Sequence, residues 1–265
     1  VPTGGSHTPV EAIDRALLLL DELARAGAAG ASLADLAQAL GLNKSTAHRA
    51  LSALRLRDYV AQDPASGLYQ LGHAALTLGQ TYFGSESLQL LLHPALLALS
   101  REAGELVHLG VLAGDRVLYV DKVEPERAIR VWSQVGQTVP LATTSLGRAL
   151  LAYRDTQRAH LDAYLQVLPE GRVVDAEQVW ETIASARRLG YATEFAENEP
   201  GIACVGIPVL RGGTAVGALS ITAPAERMTT GRTHELVDIV RRVVPPLLPA
   251  GFRLPEALTA AGDNR

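Results

Sequence analysis

The chain has 265 residues, 48% of them hydrophobic and 20% charged, with a formal net charge of −4 at pH 7. That length accommodates one large soluble domain or two smaller ones, and that charge excludes a whole-protein basic attraction to nucleic acid. A single cysteine, Cys204, excludes an intrachain disulfide framework, and no apolar run reaches membrane-spanning length.

Taken in chain order, VPTGGSHTPV lacks the charged and apolar regions of a signal peptide, so a cytoplasmic location is expected. Val10 to Ala26 reads as a helix with Val10, Ile13, Leu17, Leu20 and Leu23 on the side that packs inward. After the loop GAAG comes a short helix, Leu33 to Leu40, with Ser32 placed to accept from its first-turn N–H groups. Gly41 supplies the corner. A second helix from about Asn43 sets Ala47, Ala50, Leu51 and Leu54 on one face. The opposite face offers Lys44, Ser45, Thr46, His48 and Arg49. From Asn43 to Arg57 there are four Arg or Lys and no acid. A basic amphipathic helix is often only a solvated face. Here its front of hydroxyls, His and cations suits the DNA major groove, which makes Asn43, Lys44, Ser45, Thr46, His48 and Arg49 the candidate DNA-contact residues. Two short alternating runs follow, DYVAQ and LYQL, around Asp63-Pro64-Ala65-Ser66-Gly67. They predict a hairpin, the wing of a winged helix-turn-helix. The electrostatic case is local, because residues up to about 75 carry 6 basic and 7 acidic side chains.

His73 to Ser85 predicts a helix leaving the wing. Leu88 to Ala103 predicts a second, kinked or broken at Pro94. A domain boundary falls near Gly84. Beyond it the period changes to two. Glu105–Leu112, Arg116–Val123 and Ile129–Val135 read as strands; Ser145–Tyr153, Asp155–Gln166 and Asp175–Leu189 read as helices. Cys204–Leu210 and Val216–Thr222 form a hairpin across Arg211-Gly212-Gly213, and His234–Leu248 is a closing helix. An antiparallel sheet with helices at its margins is an α+β architecture.

No phosphate-cradling loop, nucleophile elbow, zinc-protease helix or zinc cysteine pair is present, so neither a cofactor nor a metal is expected. Cys204 needs a nearby His or cation to serve as a nucleophile, and His108 is able to approach it across a sheet. On the apolar strand CVGIPVL a free cysteine is more often a small buried hydrophobe.

The segments GLNKSTAHRALSAL and YVAQDPASGLYQLG resemble the IclR family of bacterial transcriptional regulators. The resemblance continues through VPLATTSLGRALLA (Val139–Ala152) and EFAENEPGIACVGIPV (Glu194–Val209), covering roughly Thr8 to Pro249. It implies an N-terminal winged helix-turn-helix over residues 8–72, a linker helix over 73–86, a GAF-like effector-binding domain over 87–250 and a tail over 251–265. It also implies a small-molecule pocket at Ser145, Leu146, Glu194, Cys204, Ser220 and Thr222. Two departures from the pattern bear on the effector: Ala142 and Leu146 stand where relatives often have His and a small residue, and Glu194 stands where a shorter Asp is known.

The physics of those positions fits a small acid, because N–H groups at Ser145–Gly147 open a helix and attract a carboxylate. Ser220 and Thr222, two apart, share one strand face. In a plainer reading Ser145 only caps its helix. The leading reading is a ligand-responsive DNA-binding regulator, a repressor of a catabolic operon, acting as a homodimer or homotetramer on a palindromic operator. Its rivals are a small-molecule enzyme using Cys204 or Glu194 and an assembly module whose winged helix binds protein.

Overall fold

The computed structural model describes residues 10–83, 87–126, 133–166, 168 and 174–260. Contacts divide the chain into two compact units, the first ending at Ser87 and the second starting at Leu88.

In the first unit, α1 (Glu11–Ala26), α2 (Leu33–Ala39) and α3 (Lys44–Leu56) close on a core of Leu19, Leu23, Leu36, Leu51, Val60 and Tyr69. Both short helices are capped by their own side chains. The Ser32 hydroxyl accepts from the Asp35 N–H, and the Asp35 carboxylate accepts from the Ser32 N–H in return. Asn43 caps α3 by accepting from the Thr46 N–H at 2.8 Å. Gly41 turns the chain between them at φ 63°, a value that costs glycine nothing. The wing is β1 (Val60–Gln62) paired with β2 (Tyr69–Leu71), and Ala31 adds a bridge to Tyr69. Next, α4 runs over His73–Phe83.

The inward face expected for α1 is only partly right. Leu19 and Leu23 are fully buried, but Val10, Ile13 and Leu17 are 50%, 60% and 56% exposed. The helix covers its unit with its C-terminal half and leaves an apolar surface on the other.

The second unit is built on a sheet in the order β5-β4-β3-β8-β7-β6, with every neighbouring pair antiparallel. Its strands are β3 (Leu106–Ala113), β4 (Arg116–Val123), β5 (Thr138–Pro140), β6 (Ala192–Phe195), β7 (Ile202–Arg211) and β8 (Thr214–Pro224). α5 (Leu88–Ala103) runs unbroken through Pro94 and packs with α9 (Thr230–Val243) on one face. α6 (Ser145–Ala152) and α8 (Ala176–Leu189) cover the other, where Leu146, Leu150, Ile183 and Ala218 lie in one core.

Several expectations are corrected. Of the strand expected at Ile129–Val135, residues 129–132 lie outside the described residues and Ser133–Val135 is not strand; β4 pairs with Thr138–Pro140 instead. The helix expected over Asp155–Gln166 is a single 3-10 turn followed by α7 (Leu161–Leu165). Asp155 at φ 49° breaks the α6 direction before them. The closing helix starts at Thr230, capped by the Thr229 hydroxyl, and ends at Val243 ahead of Pro245-Pro246. The stretch expected as a tail adds β9 (Phe252–Arg253) to β7 and then α10 (Glu256–Ala260), whose Leu258 is fully buried.

Candidate recognition helix and effector face

The candidate recognition surface is set by the phase of α3. Ala47 and Leu51 are fully buried, so Lys44, Ser45, His48 and Arg49 stand exposed on the other side. Thr46 is half-buried. Asn43 has a divided role: its side-chain oxygen caps the helix and also accepts from the Ser45 hydroxyl at 2.8 Å. Those two side chains therefore meet a ligand already ordered. The wing is ordered too. Asp63 accepts from the Ala65 and Ser66 N–H groups and the Ser66 hydroxyl, which holds its carboxyl below the usual range. Arg55 donates to Gln62 at 2.7 Å, and Gln62 donates to the Gly67 carbonyl at 3.0 Å, tying α3 to the wing.

The second candidate site lies on the sheet face that α6 partly covers. Register fixes who shares it. His108 pairs with Ser220, Cys204 with Thr222, and Glu194 with Cys204, so all five side chains occupy neighbouring positions of β3, β8, β7 and β6. α6 seats its first turn on this face because two glycines admit it. A Cβ at Gly206 would stand 2.3 Å from the Ser145 carbonyl oxygen, and one at Gly110 would stand 3.0 Å from the Leu146 side chain. A β-bulge in β4 opposite Leu109 and Gly110 leaves Val120 unpaired, and Tyr119 stacks on His108 with ring centroids 4.6 Å apart.

The result is a connected chain of hydroxyls. Ser145 Oγ lies 3.4 Å from Ser220 Oγ, and Ser220 Oγ lies 3.3 Å from Thr222 Oγ1. Thr222 reaches both Cys204 Sγ at 3.3 Å and His108 Nδ1 at 3.4 Å. His108 Nε2 in turn meets Ser133 Oγ at 2.8 Å. Glu194 Oε1 accepts from the N–H groups of Glu197 and Asn198.

Burial dominates the electrostatics of this face. It pushes the Cys204 thiol up to about 12, helped by the neighbouring Glu194. It raises the Glu194 carboxyl and the Tyr119 hydroxyl, and it lowers His108 to about 4, with Lys122 adding to the fall. At neutral pH the thiol and the imidazole are uncharged. Such a surface offers hydrogen bonds to a polar molecule but no thiolate for attack.

Of the sequence-expected residues, Ser145, Glu194, Cys204, Ser220 and Thr222 are brought together. Leu146 is not: its side chain is buried in the core beside Val117 and Leu150. The expected anion site on the N–H groups of Ser145–Gly147 loses one of its three donors. Thr144, not Ser145, caps α6, and its hydroxyl already accepts from the Gly147 N–H at 3.1 Å.

Sequence reasoning missed Tyr119, Ser133 and Arg148. Arg148 is 2% exposed, donates to the carbonyls of Ala142 and Thr193, and forms a bidentate pair with Glu197, which fixes the loop after Glu194 against α6. An Arg within the apolar run SLGRALLA was the one available signal.

Comparison with known proteins gives a family match in each half of the chain. Residues 12–64 match the IclR helix-turn-helix domain, and residues 80–245 match the C-terminal domain of bacterial IclR transcriptional regulators. The HTH-type transcriptional regulator XynR of Escherichia coli is 32% identical over 225 residues, covering 83% of this chain and 88% of that protein. The glycerol operon regulatory protein of Streptomyces coelicolor is 35% identical over 221 residues, covering 83% and 87%. The crystal structure of the Thermotoga maritima IclR superposes with a TM-score of 0.69 at 24% identity, covering 89% of this chain and 97% of that one, a likeness of fold.

Proposed function

This chain belongs to the IclR family of bacterial transcriptional regulators, and on that premise we propose that it represses a catabolic operon until a small organic molecule occupies the face walled by Ser145, Glu194, Cys204, Ser220 and Thr222. It is a DNA-binding regulator with an effector domain. Residues 8–72 bind DNA, 73–86 connect, and 87–250 receive the effector. Asn43, Lys44, Ser45, Thr46, His48 and Arg49 face the major groove. Two chains pair on a palindromic operator, because one helix-turn-helix reads only a half-site. The exposed Val10, Ile13 and Leu17 support α1 as part of the pairing surface. The compartment is the cytoplasm, where operator DNA lies.

The observation that carries the effector reading is the hydroxyl chain from Ser145 to His108, buried and continuous across three elements. A small organic acid or a related hydroxylated metabolite fits it. The Cys204 thiol acts as a donor to a carboxylate, and the Ser and Thr hydroxyls serve oxygens of either kind. An operon for a simple carbon source is the target class, as for the glycerol operon regulator among its relatives. The enzyme reading loses support because a thiol at about 12 is not a nucleophile at neutral pH and His108 approaches Cys204 only through Thr222.

The test is genomic footprinting with the purified protein, repeated with a panel of small organic acids and uncharged polyols. Discrete palindromic footprints erased by a member of the panel are expected. The absence of any protected site would sink the regulator reading for this chain.

A further inference from the structure

We propose that the cleft between α1 and α3 is a clamp for the sugar–phosphate backbone of DNA, with Arg15 and Arg57 as phosphate contacts outside the recognition face. The proposal rests on the DNA-binding reading and adds a second surface to it. The cleft encloses about 590 Å³. Its lining includes Ala12, Ala16, Ala50 and Ala53, side chains short enough to leave a slot between two packed helices. Its rim carries Arg15 from α1, Arg49 from α3 and Arg57, which caps the end of α3.

The cations of this unit are sorted by their partners. Arg55 is held by Gln62, Arg25 by Glu22, and Arg15 pairs only with the exposed Glu11 at 3.3 Å. Arg49 and Arg57 form no ion pair among the described residues. Arg57 caps α3 eight residues after Arg49, a span of about 12 Å at 1.5 Å per residue, which reaches more than one phosphate of a strand. Apolar walls on one side of the rim strengthen an ion contact there relative to open water. A second copy of this chain seated in the slot would instead bury unpaired guanidinium groups, which is costly. Charge complementarity therefore favours phosphate as the occupant. Arg49 belongs to both surfaces and joins them. The wing tip, Asp63 to Gly67, carries no cation, which leaves the neutralising charge to α1 and α3.

The experiment titrates the full chain onto a fluorescein-labelled mixed-sequence duplex of about 40 base pairs over a salt series. It is repeated on a duplex selected by the wild type from a random pool. Arg15→Gln and Arg57→Gln are each expected to lower the slope of log affinity against log salt by about one per subunit. The loss should be equal on both duplexes, and Arg57→Lys should restore the slope. Wild-type slopes in both Gln variants overturn the clamp, as does a loss confined to the selected duplex, which marks a base contact. A change of oligomeric state of Arg57→Gln in sedimentation without DNA also overturns it and assigns the slot to a second copy. A wild type that binds neither duplex fells the DNA-binding reading with the clamp; unchanged slopes on a binding wild type fell the clamp alone.

Discussion

Cys204 and His108 both touch Thr222, and burial shifts them in opposite directions to one outcome, an uncharged side chain at neutral pH. If Cys204 is a wall, Cys204→Ser retains operator binding and alters only the effector response, measured as the ligand concentration that releases half the DNA. Loss of operator binding itself would count against that role. His108 makes a pH prediction. In the unfolded chain it takes a proton near 6.5, and in the folded chain only near 4. Between those values the unfolded chain binds more protons, so stability present above 6.5 falls as pH drops. Each unit is worth about 1.4 kcal/mol, so His108 accounts for roughly 2–3 kcal/mol of the stability lost between about pH 7.5 and pH 4.5. Denaturant melts at the two pH values should show a smaller loss for His108→Gln than for wild type. Equal losses would mean that His108 is solvated when folded.

Among the elements, α6 depends on what its neighbours lack. Gly206 and Gly110 leave room for its first turn, and Gly147 approaches Leu141 so closely that a Cβ would stand 2.1 Å from the Leu141 carbonyl oxygen. Gly206→Ala drives a methyl into the Ser145 carbonyl and must lift the helix from β7. Overpacking of this kind costs about 1–3 kcal/mol. The expected outcome is a lower melting temperature with a weakened effector response, because Ser145 moves away from Ser220. A Gly206→Ala protein as stable and as responsive as wild type would show that α6 tolerates displacement. The wing shows the converse case, an element held by polar links. Asp63→Ala removes three acceptor contacts from the turn and should loosen the wing, read as a drop in melting temperature.

At the scale of the whole molecule, the proposed function puts effector and DNA on different units, and any influence between them is a coupling free energy. An effector that releases DNA must bind the DNA-free arrangement more tightly, and linkage then makes operator DNA weaken effector binding by the same factor. Calorimetry with and without operator measures both factors, and equal effector affinities in the two states would sink the coupling. α4 is a helix and not a Gly/Ser tether, which is the observation that makes it a candidate carrier. A short Gly/Ser insert after Gly79 is expected to leave both affinities nearly intact and to abolish their interdependence. Coupling that survives the insert would acquit α4.

The sequence by itself determined the elements whose signals are local. The helix-turn-helix was legible because Ser32, Gly41 and Asn43 punctuate it within a dozen residues, and each performs in the structure the capping or turning its chemistry allows. The strands β3, β4, β7 and β8 were legible from their period and from turns such as Gly212-Gly213, both at positive φ. Five residues of the polar face, Ser145, Glu194, Cys204, Ser220 and Thr222, were reached through the resemblance to the IclR family, Ser220 and Thr222 also through their shared strand face. What only the tertiary structure decided was register and packing, which join residues far apart in the chain. His108 meets Thr222 because β3 pairs with β8, Tyr119 meets His108 beside a bulge, and Leu146 turns into the core because the β3 and β7 glycines seat α6. The same reason left Ile13 and Leu17 exposed on a helix whose apolar pattern alone did not say which half would find a partner within the chain. Periodicity reports that a face is apolar; burial needs a second surface, and only the folded chain supplies or withholds it.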